Sequence, residues 1–177
     1  MRRLRIFAVL FTIVTLAAVG LITAVPASAD DHTVGVQSRA SLLCLQPLNE
    51  SLDAGTPIVQ VRCNNRSAQT WFFEDMGDHV FRPRNLASGL CLDALGGATN
   101  GTPVVQWPCS GISNQRWRAS KDLPDVVSLR SRVAGTSSHC LDVPGGQSTE
   151  GLAVQIYVCN GTSAQAWGVG VTTIIQP

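Results

Sequence analysis

Two kinds of hydrophobic pattern divide this chain of 177 residues. From Ile6 to Val25 the sequence is apolar at almost every position and carries no charge. Beyond residue 30 no such run recurs. Apolar and polar positions instead alternate over short stretches: VFRPRN at 80–85, TPVVQWPC at 102–109, VSLRSR at 127–132 and LAVQIYVC at 152–159. A period of two marks half-buried strands, and Gly, Pro and Asn-Gly punctuate these stretches. No 3.6-residue periodicity is sustained outside the N-terminal run, so the pattern predicts an all-β domain without helices.

The pattern comes in triplicate. LCLQ at 43–46, LCLD at 90–93 and HCLD at 139–142 open three similar units, and Gln69-x-Trp71, Gln115-x-Trp117 and Gln165-x-Trp167 close them. The units span about residues 33–75, 76–121 and 122–171. All six cysteines keep the same period, as Cys44 and Cys63, Cys91 and Cys109, Cys140 and Cys159, with gaps of 19, 18 and 19 residues. Six cysteines permit many pairings, and the repeat selects the one that closes each pair within its own unit. Each closed loop would contribute about 3 kcal/mol by the loop-entropy model. No two cysteines are close enough for a CxxC ligand pair, so zinc is not expected, nor is any cofactor.

The N-terminal run has its own punctuation. Arg2, Arg3 and Arg5 precede it, and Pro-Ala-Ser-Ala follows it, with Ala27 and Ala29 in the small-residue pattern read by signal peptidase. Residues 1–29 are expected to be a signal peptide, leaving one domain over 30–177. A run of 20 residues, 6–25, is also just long enough to span a bilayer, so an uncleaved anchor is the competing reading. Export would place the cysteines in an oxidising compartment and the mature protein outside the cell. Residues 30–177 hold ten basic and twelve acidic side chains, a net of −2. No run of Lys or Arg offers a footprint for nucleic acid, and no membrane contact is expected after cleavage. Charged residues are 14% of the chain against about 25% in typical domains. The surface must draw its polarity from Ser, Thr, Asn and Gln, which suits a neutral ligand.

Three CLD-like openings, three cysteine pairs and three QxW closings in phase resemble the ricin B-type lectin family, over about residues 33–171. The resemblance implies a β-trefoil, twelve strands in three pseudo-symmetric repeats with one disulfide in each, and it implies carbohydrate binding. In that family the Asp of CLD is the central sugar ligand. It works with a Gln and an aromatic residue on the next strand and with an Asn just before the QxW glutamine. The ring covers the apolar face of the sugar, and ionised acceptors make the stronger hydrogen bonds to its hydroxyls. Carried onto this sequence, the second repeat offers Asp93, Trp107 and Asn114, with Val105 at the Gln position. Gln106 is off by one residue, and regular alternation turns it inward unless a bulge intervenes. The third repeat offers Asp142, Gln155 and Tyr157, with Ala164 where the family has Asn. The first has Gln46, Val59, Val61 and Ala68 at these positions, so its pocket is expected to be blind.

Each motif also has a plain structural reading. A tryptophan recurring once per repeat is expected to pack about the threefold axis, with its neighbouring glutamine satisfying backbone groups at a turn. Asp93 and Asp142, near Gly96-Gly97 and Gly145-Gly146, could be simple turn-makers, although a carboxylate after an apolar Cys-Leu pair has no evident use in a core. Asn49, Asn65, Asn100 and Asn160 head Asn-x-Ser/Thr triplets, and the last two are Asn-Gly turns. Nothing assembles a catalytic centre: there is no GxSxG, no HExxH and no phosphate loop. Asp93 and Asp142 as a glycosidase pair would stand on different lobes. The expectation is a secreted, monomeric, non-enzymatic protein that binds galactose- or xylose-type sugars or polysaccharide. The alternative is a trefoil without sugar binding that acts as a protein scaffold or inhibitor.

Overall fold

In the computed structural model, which describes residues 32–135 and 138–170, the alternating stretches are strands and the sequence repeat is a symmetry of the fold. The signal peptide expected at 1–29 lies outside the described residues. The strands are β1 His32–Ser38, β2 Cys44–Pro47, β3 Ile58–Val61, β4 Thr70–Asp75, β5 Val80–Asn85, β6 Cys91–Ala94 and β7 Thr102–Trp107. They continue as β8 Trp117–Ala119, β9 Asp125–Val127, β10 Leu129–Ser131, β11 His139–Asp142, β12 Gln155–Val158 and β13 Trp167–Val169. Among the described residues the only helical pieces are single 3-10 turns.

The first and last strands of the repeats close a ring: β1 pairs β4, β4 pairs β5, β5 pairs β8, β8 pairs β10, β9 pairs β13, and β13 returns to β1. Closure leaves this barrel no unpaired edge. The middle strands of each repeat form the hairpins β2–β3, β6–β7 and β11–β12. These hairpins are themselves knit together through β7–β12 and the bridges Pro57–Val105 and Val59–Ala153. Each hairpin carries one disulfide, Cys44–Cys63, Cys91–Cys109 or Cys140–Cys159, the pairing expected from the repeat.

The stretch 127–132, expected as one strand, is instead two. It breaks at Ser128 because its two halves serve different neighbours: β9 pairs β13, whereas β10 pairs β8 and β11. This break gives thirteen strands rather than twelve.

Trp71, Trp117 and Trp167 are 1%, 0% and 0% exposed and sit at the centre of the core with Leu45, Leu92 and Leu141. Each indole Nε1 donates to the carbonyl of the matching leucine, at 3.2, 3.0 and 2.9 Å. The three rings are thus framework, as the repeat implied.

Two buried glutamines lock one repeat to the next. Gln106 faces inward opposite Leu92 in unbroken register, so no bulge turns it outward. Its Nε2 donates to the carbonyls of Ser51 and Asp53, both at 2.8 Å, and its Oε1 accepts from Ser88 Oγ. Gln60 makes the same latch, donating to the carbonyls of Gln147 and Thr149 and accepting from Ser41 Oγ. The third repeat has Ile156 at the equivalent position, opposite Leu141. Gln106→Ala would strand two loop carbonyls and is expected to lower stability by about 1–3 kcal/mol, measured by urea unfolding with the disulfides intact.

Candidate functional site

Each QxW glutamine is fully committed. Gln69, Gln115 and Gln165 accept, through Oε1, the backbone N–H of Asn64, Ser110 and Asn160 at 2.7, 2.9 and 2.8 Å. One amide proton goes to the carbonyl of Arg62, Pro108 or Val158. The other goes to the side chain that follows the Cys-Leu pair: Gln46 Oε1 at 3.0 Å, Asp93 Oδ2 at 3.0 Å and Asp142 Oδ2 at 3.1 Å. The expectation that these carboxylates serve no purpose in a core is therefore incorrect. Asp93 and Asp142 are only 3% and 4% exposed, and one oxygen of each is the acceptor that a buried amide requires. Gln46 supplies the same acceptor from an amide carbonyl, which explains how the first repeat keeps its fold without a carboxylate.

The second carboxylate oxygen distinguishes the repeats. In the third, Gln155 lies directly opposite Asp142 across the hairpin and donates to its Oδ1 at 2.8 Å. Tyr157, opposite Cys140, follows two residues later on the same face and is exposed. Strand alternation thus brings all three expected residues together. They line an open depression of about 540 Å³ with Gly145, Gly146, Thr162, Ser163 and Ala164 among its other walls. The small Ala164 side chain, beside Gly146, leaves open the place that the family pattern gives to an asparagine. Asn160 behaves as the turn residue its Asn-Gly pair suggested, its Oδ1 accepting from the N–H and hydroxyl of Thr162.

In the second repeat Asp93 is opposite Val105, so no amide from the neighbouring strand meets it. The side chains of Gln115 and Asn114 hydrogen-bond it instead. Burial pushes the Asp93 carboxyl above the ordinary carboxylate value, against the lowering effect of those two bonds. Trp107 is 43% exposed on the face that carries Asp93, two register positions away. Its ring is braced by the loop of the first repeat: a Cβ built on Gly55 would come within 3.1 Å of Trp107 Cζ3, and Gly55 has φ +82°. Gln106 holds that same loop, through its side chain and through backbone bonds to Gly55 and Thr56. It is a residue that positions the platform rather than one that faces it. In the first repeat Gln46, Val59 and Ala68 are buried, and no ring or carboxylate stands among these positions.

The chain matches the family described as "Ricin-type beta-trefoil lectin domain" over residues 32–134 and "Ricin-type beta-trefoil lectin domain-like" over 113–176. It is 30% identical over 107 residues to serine protease 1 of Rarobacter faecitabidus, a match covering 59% of this chain. The chain spans only 19% of that relative's length. Among solved structures it is similar to the designed threefold-symmetric protein ThreeFoil, with TM-score 0.72 and 29% identity over 78% of this chain and 98% of that one. It also resembles the Macrolepiota procera ricin B-like lectin in complex with lactose, with TM-score 0.65 and 19% identity, covering 78% of this chain and 94% of the lectin.

The first repeat indicates which substitutions the framework tolerates. Asp93→Asn retains an acceptor for Gln115 and is expected to be at least as stable as the parent at neutral pH. Asp93→Leu removes that acceptor and is expected to cost about 1–3 kcal/mol. The raised Asp93 carboxyl holds its proton to higher pH when folded than when unfolded, so ionisation penalises the folded state as pH rises above 3.8. Urea midpoints across mildly acidic pH should show the stability of the parent falling relative to that of Asp93→Asn over that window.

Proposed function

The chain belongs to the ricin-type β-trefoil lectin family, and from that premise we propose that it is a secreted, non-catalytic carbohydrate-binding domain with sites in its second and third repeats. One observation carries the reading. In both repeats a nearly buried carboxylate spends one oxygen on the framework and lies on the same hairpin face as an exposed aromatic ring. Nothing in the packing calls for Trp107 or Tyr157 to be exposed there.

The chemistry follows from that pairing. The second oxygen of Asp142 accepts hydrogen bonds from neighbouring sugar hydroxyls, and Gln155, already anchored on that oxygen, offers further polar contacts. Tyr157 covers the apolar face of the ring. The depression of about 540 Å³ falls within the usual range for small-ligand sites, and so we rank the third repeat first. In the second repeat Asp93 and Asn114 meet the hydroxyls and Trp107 supplies the platform. The Macrolepiota lectin is seen with lactose, which favours a galactose-type ligand here, with xylose-type polysaccharide the next to try. Each site lacks one amide of the family pattern, at Val105 and Ala164 respectively. Single-site affinity is accordingly expected near millimolar, about −4 kcal/mol. Two sites on one rigid monomer raise avidity for a polymer. The working unit is the domain over 30–177, released by cleavage after Ala29.

The two sites report differently. Of the four tryptophans only Trp107 is exposed. Its emission therefore reads the second repeat alone, while calorimetry reads both. Lactose, galactose or xylan fragments are expected to change Trp107 emission, and Trp107→Ala to abolish that change while leaving calorimetric binding at the third site. The double variant Asp93→Asn with Asp142→Asn should fold normally and bind nothing. Full sugar binding by that variant sinks the site assignment. A parent protein silent toward every sugar favours instead a trefoil that serves as a protein scaffold. Emission changes should also fade on acidification at a pH above 3.8, since Asp93 protonates early.

A further inference from the structure

Outside the residues assigned to sugar binding, four of the ten basic residues of segment 30–177 meet on or beside one pair of strands. Arg118 in β8 is directly opposite Arg130 in β10. Beside them, the N–H of Arg132 donates to the carbonyl of Arg116, which brings the next two arginines into line. The inward positions of these strands are Trp117, Ala119, Leu129 and Ser131, all buried, so alternation directs Arg118 and Arg130 outward. The result is a block of guanidinium-bearing positions with strand spacings of about 5 Å by 7 Å.

This arrangement is unfavourable in isolation, because like charges placed directly across a pair of strands repel. Among the described residues no carboxylate comes within ion-pair distance of Arg116, Arg118 or Arg130. The nearby acids are engaged or set apart: Asp122 binds His79, Asp125 binds Lys121, and Asp75 accepts from the N–H of Gly77. Asp78 lines the edge of the block without pairing. Two depressions of about 180 and 440 Å³ flank the block and share Arg118 as a wall. The turn 76–79, with Asp78 and His79 in the left-handed region at φ 53° and 58°, contributes walls to both. On a chain with net charge −2 over 30–177, this block is a local inversion of sign.

We propose that this arginine block on β8 and β10 is a second binding surface, for the carboxylate or sulfate groups of an acidic polysaccharide. Guanidinium forks bind such planar or trigonal oxygen groups with paired hydrogen bonds, and four of them in a block favour a polymer that repeats its charge. Nucleic acid fits less well. Neither depression is lined by Phe, Tyr or Trp, and the one imidazole there, His79, is held by Asp122; four cations also fall short of the usual run of phosphate contacts on a duplex. The surface borders the third-repeat site, since Arg130 lies opposite Cys140 and Cys140 opposite Tyr157, but it differs from that site in chemistry.

The test is binding of the folded protein to polygalacturonate, dextran sulfate and neutral dextran at low and physiological salt. At least one acidic polymer is expected to bind, weakening steeply as salt rises, and neutral dextran is expected to bind no more than weakly. The polymer that binds identifies carboxylate or sulfate as the anion. Arg118→Gln with Arg130→Gln should weaken that binding at least tenfold and flatten the salt dependence, while keeping the lactose response and a melting temperature no lower than the parent's. Arg62→Gln with Arg66→Gln, which touches only two exposed ion pairs elsewhere, should change nothing. Undiminished binding by the first double variant overturns the proposal, as does the absence of binding to both acidic polymers. Duplex DNA bound more tightly than either polymer overturns the assignment to a polysaccharide. Loss of acidic-polymer binding only in Asp93→Asn with Asp142→Asn would place the anion at the sugar depressions and overturn the proposal in favour of those sites.

Discussion

One pair of hydrogen bonds ties each capping hairpin to the barrel. An indole N–H reaches the carbonyl of a Cys-Leu leucine, and two residues earlier a glutamine amide reaches the side chain that comes next. Both donors come from a strand of the barrel or its approach, and both acceptors come from the hairpin. A buried donor cannot go unsatisfied without cost, so the hairpin can settle in one position only. The disulfide then closes the open end of the same hairpin, joining the start of β6 to the residues just beyond β7. With three hairpins fixed in this way, the outward face of each becomes a stage of constant geometry on which other side chains vary.

That constancy explains how two very different demands share one short motif. Gln46, Asp93 and Asp142 answer the same framework amide, and they differ only in what is left over. An amide carbonyl satisfies the glutamine but brings no charge. A carboxylate satisfies it with one oxygen and keeps a second, charged acceptor near the surface. The first repeat has therefore kept its architecture while its face carries Val59 and Val61. The third holds its second oxygen with Gln155 and sets Tyr157 and an open depression beside it.

Most of the architecture was legible in the sequence because it is periodic. Cysteine gaps, QxW spacing and alternation along 80–85 and 102–109 are local facts, and the structure repeats them. Alternation also settled Gln106, which points inward as regular pleating requires. Three things were not legible. The break at Ser128 depends on which strands flank each half of 127–132, and no local pattern states that. The buried role of Asp93 and Asp142 depends on a partner 22 or 23 residues away in the chain. The arginine block escaped notice because it is assembled from two short segments, each carrying two arginines at alternate positions. Only the pairing of β8 with β10 turns four scattered charges into one surface. The latch made by Gln60 is of the same kind, since its acceptors lie almost ninety residues further on.

The barrel begins and ends with neighbours: β1 and β13 run antiparallel with Val36 beside Val169. A ring with adjacent ends has no privileged starting point. The chain could be opened at a loop between repeats and rejoined between these two strands, and every strand would keep its partners. Seen this way the fold is a circular object that happens to be written as a line. The outer ends of β1 and β13 therefore share one corner, and the three hairpin faces stay turned outward.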